Sequence, residues 1–253
     1  GNTLCGRREA GGIRRSIALL VPEKPAAPSV AGESGTVFGL DFGDHAAADA
    51  VEAVKPYFAR FMEALPDITS LAQVDEERLL KLWEGLGYYS RARNLKKAAV
   101  CLMEDYGGQM PASRDEILKL PGIGSYTAGA VASIAYDLPA PALDGNVVRV
   151  LTRLFADPQD STKPALRKKY ERRLEAELVR RTEERDSYLL AGEVSTALRS
   201  EELFHPGEYN QAWIELGALV CIPGGRPLCE KCPLDPFVWR TGGERRSNIR
   251  SSR

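Results

Sequence analysis

The spacing of apolar residues divides the chain into a patternless beginning and a helical body. Residues 1 to about 45 are rich in Gly, Arg, Ala, Pro and Ser and follow neither the 3.6-residue nor the two-residue period, so a poorly ordered segment is expected there. From Val51, apolar side chains at Val54, Phe58, Phe61, Met62 and Leu65 recur at helical steps, which predicts an amphipathic helix. Pro56 is expected in the first turn of that helix, because proline in a helix interior costs roughly 3 kcal/mol. Asp75 reads as the N-cap of a short helix through Leu79, Leu80, Leu82 and Trp83, ended by Gly85-Leu86-Gly87. A longer helix follows and stops at Gly107-Gly108.

Ser113 with Glu116 three residues later reads as a capping box opening a helix with Ile117, Leu118 and Leu120. Pro121-Gly122-Ile123-Gly124 breaks it, and another helix runs from Tyr126 to about Tyr136. Further helices are expected at 146 to 155, 164 to 181 and 208 to 220, with a weakly patterned connection from 182 to 207. No strand alternation and no internal repeat is found, so the pattern predicts an all-α protein of two packed helical lobes.

Composition narrows the classes. A chain of 253 residues can bury a sizeable core, and no apolar run approaches the roughly 18 residues of a membrane span. The net charge of -1 leaves any nucleic-acid surface to be local. Arg7, Arg8, Arg14 and Arg15 precede the apolar run Ile17–Val21, which is shorter than a signal core and lacks a cleavage site. Three of the five cysteines fall between positions 221 and 232, a metal-site spacing, and an intracellular, reducing location is expected.

Chemistry enters at LPGIGSYTAGA, residues 120–130. Two glycines between two helices let backbone N–H groups approach a phosphate at the second helix's N-terminus; an ordinary αα-hairpin is the other reading of the turn alone. Together with LDGNVVRVLTR at 143–153 and LWEGLGYYSRARNL at 82–95, this segment closely resembles the adenine DNA glycosylases of the helix-hairpin-helix superfamily, from about Val51 to Leu234.

The resemblance implies a six-helix barrel carrying the hairpin (46–142), packed on a helical iron–sulfur cluster domain (143–234), with non-family segments at 1–45 and 235–253. It implies double-stranded DNA with A·G or A·8-oxoguanine mispairs as partner, a monomer, and a cytoplasmic or nucleoid location, or the nucleus in a eukaryote. Leu86 and Tyr88 match the residues that approach or wedge the base stack, Arg91 and Arg93 add positive charge, and Gly122, Gly124 and Ser125 belong to the DNA-binding hairpin. Without the resemblance, Tyr88 and Tyr89 read as core residues of a glycine-capped helix.

Cleaving a purine glycosidic bond puts positive charge on the sugar and negative charge on the base, which calls for a carboxylate at the first and an acid at the second. Asp144 matches the catalytic aspartate, with Asn146 beside it; taken alone, an Asp before Gly-Asn reads as a helix cap. Tyr126 stands where endonuclease III-type lyases carry a Schiff-base lysine, so a monofunctional glycosylase is expected. The family's general-acid glutamate has no counterpart: counting back from VEAVKPYF puts Gly43 at its place, and Asp41, Asp44 and Asp49 do not match the motif. Impaired catalysis is therefore expected, and a non-catalytic DNA-binding remnant is the alternative.

Cys221, Cys229 and Cys232 resemble three of the four ligands of the family's [4Fe–4S] cluster, which is structural there; Val238 stands where the fourth is expected. From Asp235 the sequence leaves the family pattern, and no 8-oxoguanine-reading domain is expected in it. Divergence at both ends around an intact middle is what a frameshifted coding sequence would give.

Overall fold

The computed structural model describes residues 48–190, 203–223, 226–235 and 238, with side chains from Pro56 onward. The segment 1–45, including Gly43, Asp41 and Asp44, lies outside the described residues, as does all but Asp235 and Val238 of the tail; Asp49 is described in its backbone alone. The elements are helices α1 (Ala48–Ala64), α2 (Ile68–Gln73), α3 (Glu76–Leu82), α4 (Ser90–Asp105), α5 (Arg114–Ile117), α6 (Ser125–Tyr136), α7 (Gly145–Leu154), α8 (Pro164–Leu190) and α9 (Pro206–Leu219), then a 3-10 turn at Cys229–Lys231. No strand occurs among the described residues, in agreement with the all-α pattern. No described helix is long and apolar enough to cross a membrane.

The chain divides into two compact units, Gly1–Tyr136 and Asp137–Arg253. In the first, α2 packs along α4, and α5 on α6. Its core joins Phe61, Leu71, Leu79, Trp83, Leu95, Ile117 and Val131, all at most 2% exposed. Phe61 meets Trp83 edge to face at 5.8 Å. In the second unit, α7 packs against α9 and α8. Leu143, Val147, Val148 and Leu151 meet Leu166, Tyr170 and Leu174 there, flanked by Phe155, Tyr209, Trp213 and Ile214.

Several local expectations are corrected. Pro56 lies inside α1 rather than in its first turn, because the helix already begins at Ala48. Ser113 precedes α5 without a side-chain cap bond. Glu116 does not close the box either: it accepts from the Tyr106 hydroxyl at 2.9 Å and from Lys119 Nζ at 2.6 Å. A genuine capping box sits at Asp67 and Ser70, opening the unforeseen helix α2. Helix α8 continues through 182–190, where a connection was expected. Arg180 bridges to Glu184, and Arg185 is drawn in by Asp137 and the Phe204 carbonyl.

Candidate active site and nucleic-acid interface

The hairpin turn is fixed by the contact of Gly122 with Asn94. Gly122 has φ +78, a region L side chains rarely occupy, and a Cβ there would lie 2.5 Å from Asn94 Cβ. A Cβ at Gly124 would meet nothing within 4 Å, and Gly124 and Ser125 are exposed. The start of helix α6 thus has open space beside Gly124. Arg114, the first residue of α5, donates from Nη2 to Ser125 Oγ at 2.9 Å and brings a guanidinium to the same rim. Tyr126 is half-buried in the first turn of α6.

The loop between α3 and α4 is held from inside. Trp83, 1% exposed, donates its indole N–H to the Gly87 carbonyl at 3.0 Å. Beyond that anchor Tyr88 is 75% exposed and has φ 44, a left-handed conformation that is costly for a bulky residue. Arg91 lies 5.3 Å from the Tyr88 ring centroid, and Leu86 is half-buried. Arg93 pairs with Glu76 at 2.6 Å, holding the Glu76 carboxyl below the usual carboxylate range. Tyr88 and Tyr89 are thus exposed here, not core residues.

Asp144 caps α7. Its Oδ1 accepts from the Val147 N–H at 2.7 Å and its Oδ2 from Asn146 Nδ2 at 2.8 Å. Each oxygen keeps acceptor capacity, so the cap fixes the carboxylate without exhausting it. Asn146 Oδ1 in turn accepts from Arg149 Nη2, and the same guanidinium donates to the Gly217 and Cys221 carbonyls at 2.8 and 2.9 Å. Gly217 is where α9 crosses Asn146: a Cβ there would lie 2.7 Å from Asn146 Cβ and 3.0 Å from its carbonyl carbon and oxygen. The sequence reading missed Arg149, although its position three after Asn146 puts the two on one helix face.

Arg153 extends the chain of contacts, donating to the Cys221 and Ile222 carbonyls and lying 3.3 Å from Cys221 Sγ. Cys229 opens the 3-10 turn and Cys232 follows it, donating its N–H to the Cys229 carbonyl at 3.1 Å. Burial pushes the Cys232 thiol up, and the Cys221 and Cys229 thiols act in the same direction. Among the described residues, no group of three or more His, Cys, Asp and Glu side chains is gathered so as to hold a metal ion. The three thiols of Cys221, Cys229 and Cys232 by themselves do not fit a four-iron cluster ligated by four protein thiolates.

A family model described as "HhH-GPD superfamily base excision DNA repair protein" matches residues 49–176. Adenine DNA glycosylase of Mus musculus is 40% identical over 185 residues, covering 73% of this chain and 31% of that protein. The Homo sapiens enzyme of that name is 37% identical over 73% of this chain and 30% of its own length, so the chain spans about a third of these relatives. Among solved structures, a thermostable thymine-DNA glycosylase aligns with a TM-score of 0.61 at 20% identity, covering 93% of this chain and 97% of that one. A non-covalent endonuclease III–DNA complex aligns with a TM-score of 0.58 at 23% identity, covering 93% and 96%. These likenesses establish the helix-hairpin-helix glycosylase fold, and with the family match over half its length the chain belongs to the HhH-GPD superfamily of base excision DNA repair proteins.

Proposed function

We propose that this chain is the glycosylase portion of an adenine-specific DNA glycosylase. It binds duplex DNA containing A·G or A·8-oxoguanine, hydrolyses the adenine N-glycosidic bond and leaves an abasic site. The observation that carries the proposal is Asp144, held by two hydrogen bonds at the start of α7 with unused acceptor capacity. As the C1′–N9 bond breaks, the sugar gains oxocarbenium character that this carboxylate stabilises, either as a counter-ion or through a transient ester; water completes the sugar and adenine departs with a proton. Tyr126 offers a phenol and no amine, which supports a monofunctional reaction.

The hairpin residues Gly122, Gly124 and Ser125 bind backbone phosphate, Leu86 and Tyr88 meet the base stack, and Arg91 and Arg93 contribute local charge. The exposure of Tyr88 and its left-handed backbone support that role. The protein acts as an intracellular monomer built from a barrel domain at 46–142 and a cluster-type domain at 143–234. Cys221, Cys229 and Cys232 fall one thiolate short of a complete cluster set, and no catalytic step is assigned to a cluster.

Gly43 at the place of the general acid favours one alternative, a DNA-binding remnant without turnover. Single-turnover release of adenine from an A·8-oxoguanine duplex decides between them. Release abolished by Asp144→Asn supports the enzyme; duplex binding with no release identifies the remnant.

A further inference from the structure

From Asp137 to Leu143 the chain approaches Asp144 in neither helix nor strand. Its peptide groups therefore have no ladder to satisfy them, yet Ala140, Ala142 and Leu143 are at most 5% exposed. Side chains from the same unit supply partners. Asn210 on α9, 1% exposed, engages both ends of its carboxamide: Oδ1 accepts from the Ala142 N–H at 3.1 Å, and Nδ2 donates to the Ala140 carbonyl at 2.8 Å. Arg167 on α8 donates to the Leu143 carbonyl at 3.0 Å. Asp137, at φ 57, is held by Arg185 and by His205 Nδ1.

The two Asn210 bonds grip the peptide groups on either side of Pro141, whose ring fixes φ between them. Asp144 stands three residues after Pro141. We infer that Asn210 is a positioning residue for Asp144: by locking the peptides flanking Pro141 it sets where α7 begins and how the carboxylate is aimed. This rests on the role proposed for Asp144 above. The carboxamide matches a peptide group in shape and polarity, so an apolar residue of similar size fills the space without transmitting the alignment. A misplacement of about 1 Å at a reacting group costs on the order of 100-fold.

The test needs no turnover. Duplexes carry opposite 8-oxoguanine either a cationic pyrrolidine azasugar, which imitates the charged sugar, or a neutral tetrahydrofuran. The ratio of the two affinities reads the aim of the carboxylate. Asp144→Asn is expected to remove most of the preference for the cation. Asn210→Leu should lower it about tenfold or more, and Asn210→Ser, which keeps one polar partner, should lie between, both binding the neutral duplex as the unaltered protein does. Should Asn210→Leu fail to fold, Asn210→Ser with a cooperative melt decides. A folded Asn210 variant with the full preference overturns the inference, as does one that loses both affinities in parallel. If Asp144→Asn keeps the preference, the role of Asp144 fails and this inference falls with it.

Discussion

Replacing Gly217 by alanine sets two opposing effects against each other. In a helix interior alanine is favoured over glycine by roughly 1 kcal/mol, so local preference predicts a more stable protein. Position 217 has no room for the methyl group, since its Cβ would lie 2.7 Å from Asn146 Cβ and 3.0 Å from two backbone atoms of Asn146. Ordinary carbon contacts are about 3.5–4.0 Å, so α7 and α9 must part by several tenths of an ångström. Overpacking of this kind costs about 1–3 kcal/mol. Arg149 resists the shift, because it ties Asn146 to the Gly217 and Cys221 carbonyls.

The net expectation for Gly217→Ala is a loss of up to about 2 kcal/mol, or roughly 2–4 °C in Tm for each kcal/mol lost in a chain of this size. Because the displaced residue donates to Asp144, adenine release should fall by more than the stability change explains. Thermal unfolding and single-turnover release on the same preparation measure both. A Gly217→Ala protein that melts higher, by the propensity gain alone, and keeps its release rate would refute the reasoning.

Tyr88→Asn should leave stability unchanged or raise it, since asparagine tolerates φ 44 better than tyrosine, while weakening duplex binding by about 1–3 kcal/mol through lost base stacking; a lower Tm with unaltered affinity contradicts this. Burial and Asp157 push the Tyr170 phenol up to about 12. The native state thus holds this proton where an unfolded tyrosine has released it, and the contribution is complete below about pH 10 and lost as pH rises to about 12. Denaturant titrations at pH 9 to 12 should show a shallower fall for Tyr170→Phe than for the unaltered protein. Val238→Cys is expected to raise iron and acid-labile sulfide per chain in anaerobic preparations, and equal contents in both proteins would deny position 238 a place in cluster assembly.

Much of the helical skeleton was legible because its signals are local. Asp75 caps its helix through a side-chain bond from the Arg78 N–H three residues on, and the glycines at 85 and 87 and the break at 121–124 act through their own backbone preferences. Where a tertiary partner intervened, legibility failed. Ser113 and Glu116 have the spacing of a box, but Tyr106 and Lys119 take the glutamate. Residues 182–190 lack an apolar stripe, yet α8 runs on through them, with Arg185 held by Asp137 from 48 positions away. Helix α2 was overlooked although Asp67 and Ser70 announce it, because six residues are too few to show a period.

By itself the sequence determined the all-α class and the glycine turn of the hairpin, since residue type and near-neighbour spacing carry both, while Asp144 as the candidate carboxylate came from the resemblance of LDGNVVRVLTR to the adenine DNA glycosylases. Only the tertiary structure decided what holds that carboxylate. Asn146 and Val147 are near in sequence, but Asn210, Arg167 and Gly217 lie on α8 and α9, and the Cys221 carbonyl just beyond α9, and their approach depends on packing a shared core. Hydrogen bonds between residues about 70 positions apart leave no periodic trace, because each is specified by how distant segments pack and not by what precedes or follows it in the chain.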